Sequence, residues 1–328
     1  MNYRVLGKTG LKVSEIGFGA WGIGKGMWRG ASDEESLKTL RTAVDLGLNF
    51  IDTALDYGDR FNHHSEKLIG QFLKSLPKNK EVFVASKIYP MNRRWPALPD
   101  VPIEQVFPES WIYDAVNLSL YNLGIESIDL MQFHVWQDYF VETDYWKEAV
   151  ENLTREGKVK HWGISINDYQ PTNCLKTLGT GLISSVQFIF NIFHQNPEEE
   201  LLPYCRKNNI GLISRVPLDE GGLTGKITPE TQFGDFRDDY FKGERKLEVI
   251  ERAKKLQELM GGEAKDLPEL SLRFLLTHPE VSTVIPGMRT VAHVTSNVAV
   301  SDGRFLSPGL MAELKNHVWE RNFYDPNY

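Results

Sequence analysis

Short apolar runs alternate with amphipathic stretches along most of the chain. Runs at 15–19, 49–52, 82–87, 128–134, 159–165, 186–191, 211–216 and 283–286 read as eight strands. Helical periodicity fills the gaps, near 65–76, 109–123, 145–157, 170–178, 197–208, 246–260 and 267–277. The first helix opens on the capping box Ser32-Asp33-Glu34-Glu35 and closes at Gly47. Ahead of it, residues 3–6 turn through Gly7-Lys8-Thr9-Gly10 into 11–13, the pattern of a hairpin. Strands that alternate with helices pair in parallel through right-handed crossovers. Gly17 to Asp52 and Asp52 to Lys87 each span 35 residues, and His134 to Ser165 spans 31. Units this regular favour a closed (β/α)8 barrel over an open doubly wound sheet.

Two segments interrupt the rhythm. Residues 90–108 hold five prolines with Arg93, Arg94 and Trp95, which excludes a regular helix. Residues 218–243 are polar and glycine-rich, with Phe233, Phe236, Tyr240 and Phe241. Each follows a strand, so each belongs on the C-terminal face of the barrel, where such folds place their sites. The reading is one domain over 1–328, with a hairpin at 1–14 and a C-terminal helix and aromatic tail at 305–328. The tail is expected over the same mouth.

Composition narrows the function. The 37 basic and 44 acidic residues leave a net charge of −7, which argues against a nucleic-acid partner. Cys174 and Cys205 are the only cysteines, so a disulfide framework is excluded and a reducing, cytoplasmic setting is expected. No apolar leader and no ~18-residue apolar run is present, so no membrane partner is expected.

Candidate chemistry sits where apolar strands end in ionisable groups: Asp52, Lys87 and His134. Burying such groups unpaired costs several kcal/mol, so three of them facing one mouth suggest a site. Tyr57 follows five residues after Asp52. A phenol with a pKa of ~10 is a poor acid at neutral pH; the Lys87 cation is expected to lower it. Asp52 would hold the lysine, and His134 would orient a substrate oxygen. This set suits carbonyl reduction or alcohol oxidation, and because no side chain carries hydride, a nicotinamide cofactor is implied. Gly17-Phe18-Gly19-Ala20-Trp21-Gly22 fits G-x-G-x-x-G, yet no helix opens directly after it. It reads instead as a loop in which Gly19, Ala20 and Trp21 approach a ligand closely. Adjacent His63 and His64 lack the spacing of a zinc pair, so no metal is assigned. Trp21, Tyr89 and Trp136 are candidate walls of an apolar substrate pocket.

Over nearly its whole length the chain resembles the aldo-keto reductase superfamily. The resemblance rests on Asp52-Thr53-Ala54-Leu55-Asp56-Tyr57-Gly58 with Ser65-Glu66, on Ala85-Ser86-Lys87, on Asp129-Leu130 leading to His134, on Gly163-Ile164-Ser165-Ile166-Asn167, and on Ile285-Pro286-Gly287 with Asn297. It implies the tetrad Asp52, Tyr57, Lys87 and His134, with Tyr57 as proton donor. It implies that Ser165, Asn167 and Gln187 hold the nicotinamide carboxamide. Leu218, Glu220 and Gly222 would lie along the pyrophosphate, and Gly287, Met288, Arg289, His293 and Asn297 would meet the adenosine end. Arg215 stands where many members stack a tyrosine on the nicotinamide; a planar guanidinium also stacks. Arg289 would pair with a 2′-phosphate, and no acidic residue lies between Val281 and Ser301 to repel it. The expected activity is reduction of small aldehydes or ketones with NADPH, NADH being the possible substitute. The alternative is a cofactor-binding regulatory or sensor subunit with little turnover; substrate identity and oligomeric state are left open.

Overall fold

Tyr3–Val5 (β1) and Lys12–Ser14 (β2) pair antiparallel, with Tyr3 opposite Ser14. The turn between them packs against the start of a later strand. A Cβ on Gly7, which has φ +50°, would lie 2.1 Å from the Gly211 nitrogen, so only glycine fits. This close docking carries Leu6 and Val13 into an apolar cluster with Phe50, Phe83, Leu130, Ile213 and Ile285. The hairpin thereby plugs the end of the barrel at which the strands begin.

The computed structural model describes residues 1–28, 32–59 and 62–325. Among them, eight parallel strands follow the hairpin: Phe18–Gly19 (β3), Phe50–Asp52 (β4), Phe83–Ile88 (β5), Ile128–Trp136 (β6), Val159–Ile166 (β7), Ser185–Ile189 (β8), Gly211–Arg215 (β9) and Val281–Val284 (β10). Each pairs with its neighbour in the chain. Parallel bridges from Ile16 to Val284 and from Gly19 to Gly287 join the last strand to the first and close the ring. The seam also accounts for the glycines of the G-x-G-x-x-G stretch. A Cβ on Gly19 would come within 2.7 Å of the Ile285 carbonyl oxygen, and one on Gly17 within 3.0 Å of three side chains. The glycines serve barrel closure, and Ala20–Ile23 continue as a 3₁₀ turn rather than a phosphate-binding helix.

The helices are Asp33–Asp45 (α1), His64–Lys74 (α2), Ile103–Val106 (α3), Glu109–Leu123 (α4), Tyr145–Arg155 (α5), Leu175–Gly179 (α6), Leu201–Lys207 (α7), Arg237–Tyr240 (α8), Glu244–Leu259 (α9), Leu267–Leu276 (α10), Val291–Val298 (α11) and Pro308–Leu314 (α12). Side-chain caps start the ones that sequence marked most clearly. Ser32 accepts from the Glu35 amide, Asp266 from Glu269 and Thr290 from His293. The helix expected at 170–178 shortens to α6, because residues 170–174 turn on themselves, Asn173 donating to the Gln170 carbonyl. In the proline-rich segment one helical turn, α3, forms after all; Pro102 stands at its N-cap, where a missing N–H is harmless. No helix among the described residues is long and apolar enough to cross a membrane.

One irregularity lies in β6, on the strand that carries His134. Val135 has φ +64°, and the pairing with β7 shifts register between His134 and Trp136. The extra residue flips the alternation of side chains.

Candidate active site

Asp52, the last residue of β4, and Lys87, near the end of β5, point into the barrel because both follow the inward parity of Phe50 and Ala85. Both are buried. The Lys87 ammonium donates to Asp52 Oδ2 at 2.6 Å, to the Thr53 carbonyl at 2.8 Å and to the Tyr57 hydroxyl at 3.3 Å. An ammonium has three protons and all three are engaged. Tyr57 therefore accepts at its oxygen, and its own O–H is left to point elsewhere. Asp52 Oδ1 is held by the side-chain amides of Gln187 at 2.7 Å and Gln132 at 3.4 Å. Across β6, β7 and β8, His134 lies beside Ser165, and Ser165 beside Gln187. The four residues expected to act together are thus at one mouth, with the His134 ring centroid 6.3 Å from that of Tyr57.

The electrostatics correct one expectation. Burial, reinforced by the Asp52 and Asp56 carboxylates, holds the Tyr57 phenol well above its ordinary range. The Arg215 cation opposes the shift and burial outweighs it; burial likewise disfavours the charge of Lys87. The phenol is accordingly protonated at neutral pH. Burial, then the Lys87 and Arg215 cations, push His134 well below the usual imidazole value, so it is neutral. Its Nδ1 is buried without a hydrogen-bond partner among the described residues.

Asp56 carries no distinguishing signal in the sequence, yet it joins the site. Its Oδ1 lies 3.9 Å from His134 Nδ1 and is likewise buried without a hydrogen-bond partner among the described residues. Burial raises this carboxyl to about 6, although the Lys87 cation opposes the shift. A folded-state value above the unfolded one means that its contribution to stability is complete below pH ~4 and is lost as the pH rises through about 6. Asp56→Asn, which removes the charge and keeps the shape, is expected to raise stability at pH 7 by up to about 3 kcal/mol and to leave it nearly unchanged at pH 4. Urea midpoints at both pH values check this; equal gains at both would mean that ionisation is not the cause.

The remaining candidates divide. Ser165 Oγ is buried without a hydrogen-bond partner among the described residues, the property expected of a group that waits for a ligand amide. Asn167 is engaged elsewhere: its side chain exchanges hydrogen bonds with both backbone groups of Ala97, at 3.0 and 3.3 Å. That contact docks the proline-rich loop and places Trp95 5.8 Å from the His134 ring, a wall that sequence reasoning missed. Gln187 faces Asp52. Arg215 lies between the Asp168 carboxylate, at 2.6 Å, and the Ile166 carbonyl. Trp21 sits 6.2 Å from the Tyr57 ring and 5.1 Å from Phe236, at the mouth as expected. Tyr89, just beyond β5, packs against Trp111 and under the Arg93 guanidinium.

Trp136 is not a pocket wall. It is fully buried among Phe107, Phe133, Phe140 and Trp146, and its indole donates to Thr177. Without the bulge at Val135 it would share the inward parity of His134; with it, the ring turns toward the helices. Met288 is also a core side chain, so only its backbone is available to a ligand. Gly287 is exposed, His293 Nδ1 accepts weakly from the Arg289 amide, and Asn297 is buried on α11. The Arg289 side chain crosses the Ala20–Ile23 turn: a Cβ on Gly22 would touch it at 2.8 Å. His63 and His64 part company, toward the Leu55 carbonyl and Asp33, and no group of three metal-binding side chains occurs among the described residues.

This architecture has known counterparts. The model of the Aldo/keto reductase family matches residues 15–318. The NADH-specific methylglyoxal reductase of Escherichia coli is 32% identical over 90% of this chain and 91% of its own length. The aldo-keto reductase YhdN of Bacillus subtilis is 31% identical over 88% of this chain and 85% of its own. Among solved structures, the glycerol dehydrogenase AKR11B4 from Gluconobacter oxydans superposes with a TM-score of 0.78 at 26% identity, over 96% of this chain and 94% of that one. With a closed eight-stranded barrel, a lysine–aspartate pair under a protonated tyrosine, and a family match spanning nearly every residue, the chain belongs to the aldo/keto reductase family.

Proposed function

We propose that the protein reduces small aldehydes or ketones to alcohols, with Tyr57 as the proton donor and NADPH as the preferred hydride source. A bound nicotinamide supplies the hydride. The observation that carries the reading is the use of all three Lys87 protons, which leaves the Tyr57 hydrogen as the one free to reach a substrate oxygen. Neutral His134 orients that oxygen, and Trp21, Trp95 and Tyr89 exclude water around it. Ser165, with a buried hydroxyl ready for a partner, would hold the carboxamide, and Arg215 would lie against the ring. Leu218, Glu220 and Gly222 would run along the pyrophosphate, while Gly287, Arg289, His293 and Asn297 would meet the adenosine end. Steady-state oxidation of NADPH and NADH against a panel of unactivated aldehydes and ketones tests the reading. Cofactor binding without oxidation by any of them would favour a sensor role instead.

The cofactor preference turns on local charge. Arg237 and Arg289 both face Trp28, with guanidinium carbons 4.3 and 5.0 Å from its ring, and α11 offers the positive end of its dipole nearby. The fold also brings two opposing carboxylates: Asp235 pairs with Arg237 at 2.6 Å, and Glu35 of α1, which sequence distance concealed, accepts from the Val291 amide at 3.5 Å. The E. coli relative is NADH-specific by name, so selectivity varies among the relatives. With Arg237 neutralised by Asp235, the preference for NADPH rests on Arg289 and the α11 dipole outweighing Glu35. Arg289→Ala is expected to weaken NADPH by ~1.5–3 kcal/mol, the scale of a charged hydrogen bond, with NADH little changed. Glu35→Gln should shift selectivity further toward NADPH by a few-fold. Fluorescence titration with both dinucleotides decides; equal losses for the two in Arg289→Ala would end the argument for phosphate reading.

A further inference from the structure

We propose that Arg321 and Tyr324, in the C-terminal segment, are positioning residues for cofactor binding: they hold the turn after β9 in a strained form that the dinucleotide needs. The proposal rests on the reading of the site as a nicotinamide oxidoreductase.

The turn is unusual in its backbone. Val216, Asp219, Glu220 and Gly221 have φ of +53°, +50°, +52° and +107°. Only one of these four is glycine, and Val216 is β-branched, for which positive φ is a true outlier. Such conformations persist where the surroundings over-determine them, and they gather at ligand clamps. The neighbours leave little slack: a Cβ on Gly222 would lie 2.5 Å from Asp219 Oδ2 and 2.9 Å from Val249.

Each strained residue other than the glycine has a tether. Asn191, just past β8, donates to the Val216 carbonyl at 3.0 Å. Arg321 makes a buried ion pair with Asp219 Oδ1, and the Tyr240 hydroxyl donates to the same oxygen at 3.3 Å. The Tyr324 hydroxyl donates to Glu220 Oε1. Two of the three tethered positions are therefore held from the far end of the chain.

The tail is itself fixed firmly enough to serve. The Trp319 amide donates to the Phe193 carbonyl at 2.8 Å. The Arg321 guanidinium is packed by the rings of Trp319, Phe323 and Phe193, at 4.1, 5.1 and 5.3 Å. Both members of the Arg321–Asp219 pair have fully buried side chains. Pairs of this kind contribute little net stability, because desolvation offsets the attraction. What such a pair does supply is position. Arg215, one residue before the turn, lies at the mouth beside Asp168, so the turn's geometry sets where a phosphate chain leaves the reacting end.

The test uses the full-length protein. Arg321→Met should weaken both NADPH and NADH roughly ten-fold, about the penalty of one left-handed residue. The cofactor KM should rise by the same factor, with kcat at saturation within about two-fold. Tyr324→Phe, which loses one hydroxyl, should weaken both about three-fold. Arg321→Lys should recover part of the loss. Adding Asp219→Gly to Arg321→Met should recover more, since glycine holds positive φ without help and no buried carboxylate is then left unpaired. Dissociation constants come from quenching of protein fluorescence, with far-ultraviolet circular dichroism as the check on folding. A folded Arg321→Met that binds both dinucleotides as wild type does, or that loses kcat and not affinity, overturns the proposal. Should Arg321→Met not fold, Tyr324→Phe decides alone: wild-type affinity overturns the proposal and weaker affinity supports it. A wild-type protein that binds neither dinucleotide overturns the functional reading itself, a different failure.

Discussion

Tyr57→Phe is expected to lower carbonyl reduction by ~10²–10⁴-fold, the usual worth of a positioned general acid. The variant keeps the ring that packs against Trp21 and beneath which Lys87 lies, its ammonium 4.9 Å from the ring centroid. Only the proton is removed. Dinucleotide affinity should therefore stay within a few-fold, while kcat carries nearly the whole loss. A second signature separates this from general damage: an activated aldehyde, which needs less protonic assistance, should lose less than an unactivated one. Near-wild-type turnover with an unactivated aldehyde would remove Tyr57 from the role of donor.

Lys87→Met is expected to harm both stability and turnover. The lysine–aspartate pair lies inside the barrel, and removing one partner of a buried pair costs about 3–5 kcal/mol because the other charge is stranded. Asp52 would keep the amides of Gln187 and Gln132, which places the loss toward the lower end of that range. Replacing Asp52 by asparagine in the same chain should return part of the stability, since no charge is then left behind, but none of the activity. Urea denaturation of the single and double variants measures the coupling. A midpoint for Lys87→Met equal to that of wild type would mean that the pair is not the buried charge couple described.

The meeting of Asp52, Tyr57, Lys87 and His134 at one mouth was legible because three of the four break a rule that strands otherwise obey. Apolar runs that stop at Asp52, Lys87 and His134 announce groups that need partners, and the barrel supplies them at one end. What was not legible depends on contacts between distant parts of the chain. Gln132 and Gln187 look like ordinary strand residues until the ring closes and both face Asp52. Asn167 has the residue type of a ligand contact, yet Ala97 occupies it. Glu35 and Val291 are 256 positions apart, so a window around α11 could not reveal the carboxylate. Trp136 was misplaced for a local reason: alternation assumes an unbroken period of two, and the single bulged residue Val135 resets it. The tyrosine's acidity went the wrong way because a neighbouring cation is visible in sequence and desolvation is not.

The plugged end of the barrel has a consequence for the route of protons. With Leu6 and Val13 seated among Phe50, Phe83, Leu130, Ile213 and Ile285, that end of the barrel is closed to solvent. An alcohol product, and any proton drawn from bulk water to recharge the phenol, would then pass through the opposite mouth. From behind, the phenol meets the buried Lys87–Asp52 couple and not bulk water, so a proton arriving from that side would have to come through the lysine.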